Sequence, residues 1–461
     1  MKPEKPDQSK SVDRRQFLRS SAALGVGAAA IASNAATVRA ATNKNSKLRI
    51  FQIGTGGIGG MQRRGLKGHP MVEFAGFCDT DETMFDRIED YHKDYWTVVD
   101  YREAFADKAD DFDAVIVDTP DHHHCPMMVT ALKHGKHVYG QKPLVHQLDE
   151  LRLIREAVAA RPHLYTQMGN QRACTTGRMQ ATEILKSHQL GRPVEAHIWV
   201  GGMSRGTYFV DPWSDYGAAQ PVPETVHWDL WNGPLTEALP FSEDLHPRRW
   251  RSYWETGGGM LADWGCHVID ILYFAYELPS PEAVMTTTMK PAGVCHSGYN
   301  QSTITYPGGD GFARDKFVLH YNDSGIKPSF ASLGLPEPGI KGTCTLVVCE
   351  EGALFVEPGG KMEIYRKGKL VENEPMPEVG QRDHWKDWAD CCLGTEKPLW
   401  TQFDIGARIT EPALLATKAT KFPGAELLWD GKSFRFTNHE EANKTLLSRT
   451  YRDGFAPPAV S

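Results

Sequence analysis

A chain of 461 residues is too long for one compact core and points to two domains. Apolar and charged fractions of 41% and 24% exclude disordered and fibrous classes. A net charge of −7 without a long basic run gives no support to a nucleic-acid or anionic-membrane partner. Beyond the extreme N-terminus, no apolar run approaches the roughly 20 residues of a membrane span.

At the N-terminus, Arg14-Arg15 stand just before Phe17-Leu18, and a mildly apolar Ala/Gly/Ser run follows from Ser20 to Ala36. Val38-Arg39-Ala40 then offers a small-residue cleavage site. That order describes an export signal, and paired arginines resemble the twin-arginine class, which carries folded cargo. Residues 1–40 are therefore set aside from the fold, and the expected location is the periplasm. Any cofactor made only in the cytoplasm would have to be bound before transport and held. The nine cysteines are odd in number and scattered, with no CxxC pair. They support neither a disulfide framework nor a zinc site.

The run Leu48–Ile53 reads as a strand ending at Gly54-Thr55-Gly56-Gly57-Ile58-Gly59, with a helix expected from Ile58 to about Lys67. In such a GxGxxG turn Gly54 makes the tight bend and Gly56 admits the pyrophosphate, while Gly59 lets helix and strand pack. Gly57 and Ile58 open the helix, whose N–H groups and dipole suit phosphate. A second strand, Val72–Cys78, leads to Asp79, at about the 20-residue offset expected of the acid that holds the adenosine ribose. Thr80, Asp81 and Glu82 bring no positive charge, so NAD is favoured over NADP. Ala114–Val117 reads as a third, buried strand, leading to Thr119-Pro120-Asp121 and His122 to His124. After a helix from about Pro126 to His134, the strand His137–Tyr139 runs into Gln141-Lys142-Pro143. Strands alternating with helices mean a parallel, doubly wound sheet that binds ligands at its carboxyl ends. Consecutive histidines on a turn point apart, so no metal site is expected.

Leu164–Gly169 reads as the last strand of this half, with Asn170-Gln171-Arg172 at its exit. Period-two runs then recur at Val194–Met203, Val284–Met289, Ser302–Tyr306, Phe317–Tyr321 and Thr343–Val348, and predict a largely antiparallel sheet. Between them a helix is expected from the Gly257–Gly259 run to about Tyr276. Asp263, His267 and Asp270 fall at i, i+4 and i+7 on it, along one stripe. The stripe is either a general base with orienting carboxylates or a solvated face. Trp213, Trp228, Trp231, Trp250, Trp254 and Trp264 crowd the same region, and their rings would suit stacking on sugar faces as well as core packing. Candidate substrate contacts are Gln171, Arg172, Trp228, Trp254 and Asp263.

Together, Gly54–Gly59, Thr119-Pro120 with His122, Lys142-Pro143 and Asp263-x-x-x-His267 resemble the Gfo/Idh/MocA oxidoreductase family over residues 47 to about 430. The resemblance implies a Rossmann domain over 47–170 and an α+β substrate and oligomerisation domain with a large, open, mostly antiparallel sheet over 171–435. Residues 436–461 form a tail, and a homo-oligomer is implied. It assigns Lys142, Asp263 and His267 as the catalytic group. NAD contacts would come from Gly54–Gly59, Asp79, Thr119, Pro120, His122, Gln141 and Lys142. Gln141 departs from the family, which has Glu there, and that substitution could alter how Lys142 is oriented or charged. The implied reaction is hydride transfer from a sugar or cyclitol hydroxyl carbon to NAD. Two redox-neutral schemes suit a retained cofactor: coupled oxidation and reduction of two sugars, or an NAD-dependent glycosidase. A non-catalytic sugar-binding protein is the third alternative.

Overall fold

The computed structural model describes residues 46–89, 92–201, 208, 215–289 and 293–460. The export signal expected over residues 1–40 lies outside the described residues.

The first half runs β1 (Leu48–Ile53), α1 (Ile58–Leu66), β2 (Val72–Cys78), β3 (Trp96–Val98), α2 (Tyr101–Asp107), β4 (Ala114–Val117), α3 (His124–Lys133), β5 (His137–Gly140), α4 (Glu150–Ala159) and β6 (Thr166–Met168). The strands lie in the order β3-β2-β1-β4-β5-β6, every pairing parallel. All four residues of β4 are buried, as a strand covered on both faces requires. Strand order reverses between β1 and β4, the switch point at which such sheets open a ligand crevice.

The second half continues with α5 (Thr176–Lys186), β7 (Pro193–Trp199), α6 (Trp228–Asn232), α7 (Gly259–Tyr276), β8 (Ala283–Thr287), β9 (Gln301–Pro307), β10 (Lys316–Asn322), β11 (Cys344–Cys349), β12 (Ala353–Val356), β13 (Met362–Arg366) and β14 (Lys369–Leu370). After these come α8 (His384–Cys392), α9 (Phe403–Ala419), β15 (Glu426–Asp430), β16 (Arg435–Phe436) and α10 (Glu440–Leu446). Ten strands form one sheet in the order β14-β13-β12-β11-β7-β10-β9-β8-β15-β16. The sheet is mostly antiparallel, as expected, with one parallel pair between β7 and β10. β9 alternates buried with exposed or half-buried residues, because one face packs inward.

Helix α7 lies against that inner face. Tyr321 Oη donates to the Leu261 carbonyl at 2.5 Å, and Thr345 Oγ1 to the Val268 carbonyl at 2.7 Å. On its other side α9 approaches so closely that a Cβ at Gly265 would sit 2.5 Å from Ala413 Cβ.

Several segments of the second half return to the first. Trp388 of α8 joins Leu48, Ile50 and Tyr139 in a buried cluster. Tyr451 Oη, in the tail, donates to Glu150 Oε1 at 2.6 Å. No helix among the described residues is long and apolar enough to cross a membrane.

Candidate active site

A cleft of about 620 Å³ opens at the carboxyl ends of β1, β2, β4 and β5. At one end lies the glycine turn. Gly54 has φ +89°, and a Cβ there would meet the Asp118 carbonyl oxygen at 2.5 Å, so the β1–β4 approach requires glycine. A Cβ at Gly59 would meet the Gly54 carbonyl at 2.5 Å, which is the helix–strand packing expected of it. At Gly57 (φ +48°) the space is open, whereas a Cβ at Gly56 would lie 3.1 Å from Met84 Sδ. The open approach is therefore at Gly57, one residue beyond the expected position. Among the described residues the backbone N–H groups of Gly56 and Gly57 have no protein acceptor. Such donors suit a pyrophosphate. Asp79 stands at the end of β2, its Oδ2 accepting from Thr55 N and Oγ1 at 2.8 and 3.0 Å. The turn, its free donors and this carboxylate fit a dinucleotide.

At the other end β5 and α7 meet. Lys142 Nζ donates to the Asp263 carbonyl at 2.8 Å and also pairs with Asp263 Oδ1. Tyr208 Oη donates to Asp263 Oδ2, and Arg251 Nε lies 3.5 Å from Oδ1. Burial alone would raise the Asp263 pKa, but Lys142 and Arg251 hold it well below the usual carboxylate range. One helical turn on, His267 lines the same cleft and is 6% exposed. Burial, with Lys142 and Arg172 nearby, depresses its pKa well below 6.5, so the imidazole is neutral at physiological pH. Its Nδ1 lies 2.5 Å from Asn170 Oδ1. Asp121 also lines the cleft and accepts from Gly258 N at 3.0 Å, and burial together with Asp263 pushes it up to about 7. The cleft thus brings together a cation, an anion and a neutral imidazole, a set able to orient a hydroxyl and remove its proton.

Of the residues expected here from sequence, Gly54, Gly56, Gly57, Ile58, Asp79, Thr119, Pro120, Gln141, Lys142, Gln171, Arg172, Asp263 and His267 all line the cleft. Gly59 packs behind the turn, against the Gly54 carbonyl, and does not line the cleft, and three more are placed elsewhere. His122 is wholly buried in a turn of 3-10 helix, its ring nitrogens 3.0 and 3.3 Å from the carbonyls of Trp231 and Thr256; its neighbour His123 lines the cleft instead. Trp228 stacks on Trp231 at 4.3 Å and donates to the Leu239 carbonyl, and Trp254 packs on His296 with Lys421 over its ring. Among the described residues Trp231, Trp250 and Trp264 are the tryptophans that reach the cleft, and Trp213 lies outside the described residues. The third member of the stripe, Asp270, is fully buried against Arg178, so the solvated-face reading of the helix fails. Tyr208, Arg251 and Asp121 carry no spacing signal of their own.

Two family models match the chain, both of the Gfo/Idh/MocA oxidoreductase family: the NAD-binding Rossmann fold over residues 48–167 and the C-terminal alpha/beta domain over 176–310. Together they span more than half of it. The chain belongs to this family. It is 30% identical over 168 residues to a glycosyl hydrolase family 109 protein of Solibacter usitatus, covering 32% of this chain and 37% of that protein. It is 26% identical over 161 residues to an inositol 2-dehydrogenase of Rubrobacter xylanophilus, covering 34% of this chain and 44% of the relative. These matches thus span less than half the length of either relative. Among solved structures, the WlbA dehydrogenase of Chromobacterium violaceum, in complex with NADH and UDP-GlcNAcA, superposes with a TM-score of 0.58 at 16% identity, covering 84% of this chain and 97% of that one. That likeness establishes the fold, an NAD-binding Rossmann domain followed by a mostly antiparallel α/β domain.

Proposed function

We propose that this family member oxidises a hydroxyl-bearing carbon of a sugar or cyclitol with NAD that stays bound through successive turnovers. The observation that carries it is the meeting of Lys142, Asp263 and His267 in one cleft whose far end is the glycine turn. Bound NAD supplies the hydride acceptor. Gly56 and Gly57 would donate to its phosphates and Asp79 would hold the adenosine ribose, with Thr119, Pro120 and Gln141 lining the way to the reacting end. His267 accepts the substrate hydroxyl proton. Lys142 donates to the same oxygen and stabilises its developing negative charge. Asp263 orients Lys142 and a neighbouring hydroxyl, with Gln171 and Arg172 on the adjoining wall.

Retention is supported by a strap from the second half. The Thr225 carbonyl accepts from Glu82 N at 2.9 Å, His227 N donates to the Thr80 carbonyl at 2.7 Å, and His246 Nε2 lies 3.1 Å from Asp81 Oδ2. These contacts tie the strap to the β2 end, beside Asp79. The tail adds Phe455 to the cleft wall, with Arg102 3.9 Å over its ring. A nucleotide so enclosed would survive export of the folded protein to the periplasm, which the paired arginines favour.

The resemblance to a glycosyl hydrolase family 109 protein favours a second reading, in which transient oxidation permits loss of an aglycone before water addition and re-reduction. Incubating the purified protein with sugars, cyclitols and nitrophenyl glycosides, without added nucleotide, separates the two. Oxidised and reduced sugar products support the oxidoreductase, whereas phenol release identifies the glycosidase. Neither outcome across a broad panel would refute both.

A further inference from the structure

Asp270 takes no part in the chemistry above, yet it is fully buried on the helix that carries His267. Its Oδ1 pairs with Arg178, and its Oδ2 accepts from Asn170 Nδ2 at 2.9 Å. The same Nδ2 donates to the Cys266 carbonyl at 2.8 Å. A backbone carbonyl can only accept, so the amide nitrogen of Asn170 must face it and Oδ1 must face His267. That oxygen can only accept too. The hydrogen in the 2.5 Å contact therefore belongs to His267 Nδ1, and the lone pair of the neutral ring is on Nε2.

We propose that Asn170 is a positioning residue: its side-chain oxygen sets the tautomer of His267, and the buried Asp270–Arg178 pair holds the amide in the orientation that does so. The proposal rests on His267 being the base. A buried ion pair contributes little net stability, because desolvation offsets its attraction, and a role in fixing one arrangement of a polar network is consistent with its retention.

An amide partner differs from a carboxylate in one consequential way. When Nε2 takes the substrate proton, the Nδ1–H bond to Asn170 persists, but no full negative charge stabilises the imidazolium through it. The charged groups around the ring are Lys142 from the end of β5, Arg172 and Arg178 from the segment after β6 and from α5, and Asp263 and Asp270 on α7 itself. Burial and the cations leave the ring neutral, ready to take the proton and return it. A retained cofactor cycling in both directions needs that reversibility.

Nitrogen-15 spectra of the holoenzyme labelled at histidine, with the His267 signals identified by their loss in His267→Ala, test this directly. The expected result is a protonated Nδ1 and an unprotonated Nε2 in the wild type, and loss of that preference in Asn170→Ala. Asn170→Ala should also lower kcat by about 10- to 100-fold, short of the loss of a general base, with KM nearly unchanged and nucleotide still bound. Asn170→Asp, of the same size should the alanine variant fold poorly, should move the acid limb of the kcat–pH profile upward by about one unit or more. A wild-type proton on Nε2 overturns the proposal. So does an unchanged tautomer in Asn170→Ala, or an unmoved limb in Asn170→Asp. Turnover surviving in His267→Ala would sink the base assignment while leaving the tautomer result to stand separately.

Discussion

Lys142 and Asp263 hold each other in place, and the charge balance of the cleft depends on them. Lys142 is tied to both the carbonyl and the carboxylate of Asp263, so its ammonium sits at the start of the helix that carries His267. Gln141, where the family has Glu, makes no bond to Lys142. Its Nε2 donates to Asp118 Oδ1 at 3.0 Å, and burial pushes that carboxyl up to about 7. The orientation of the lysine therefore comes from Asp263 and survives the substitution at 141. Removing the ammonium leaves Asp263 buried with Arg251 as its remaining cationic partner among the described residues and takes away the donor to the substrate oxygen. Lys142→Met should lower kcat by about 100-fold or more while bound nucleotide stays in place. Steady-state rates together with nucleotide released by heat check this, and a kcat within a few-fold of wild type would remove Lys142 from the chemistry. These residues were legible in sequence because each sits in a short motif at a strand end or at helical spacing. Tyr208 and Arg251 were not, since their contact with Asp263 exists only once the chain has folded back.

Among the elements, the turn between β1 and α1 depends most on residue identity. A Cβ at Gly59 would lie 2.5 Å from the Gly54 carbonyl, a backbone atom that cannot rotate away. Gly59→Ala should push α1 off β1 and yield protein without bound nucleotide, read from the ratio of absorbance at about 260 and 280 nm; a full complement would contradict the role assigned to this turn. Period-two runs located β9, β10 and β11, and the run Val72–Cys78 located β2, within a residue or two, because one-sided or two-sided burial marks the sequence directly. β3 has three residues and β14 and β16 two each, too few to show any period. That β7 and β10 pair in parallel is also silent in the pattern, which reports which face is buried and not which strand lies beside it. The tryptophan crowd was visible for the same reason that its orientation was not: stacking of Trp228 on Trp231 is decided by the strap's path over β2.

At the scale of the whole molecule, buried histidines make the fold sensitive to acid. His123 and His124, both about β4's exit, and His384 of α8 are each depressed to about 4 by burial, against 6.5 in the open chain. Between those values the unfolded chain binds protons that the folded one does not, so stability falls as pH drops from 6.5 towards 4 and is fully present above 6.5. The melting temperature should decline across that window; a flat profile would show that these rings protonate without unfolding cost. Their rings face backbone carbonyls of distant segments, among them Trp231, Pro143 and Met168, acceptors that favour the protonated ring but are outweighed by burial. How the C-terminal segments return to the first half could not be read from sequence, since Phe455 and Trp388 carry no signal except isolated apolarity. The central claim is that His267 removes a hydroxyl proton against a nucleotide the protein already holds. Adding sugars and cyclitols in turn to the purified protein, with no nucleotide supplied, should raise absorbance at about 340 nm with at least one of them in the wild type. His267→Ala, carrying the same nucleotide, should show no rise; an equal rise in that variant, or none in the wild type with any compound, would contradict the account.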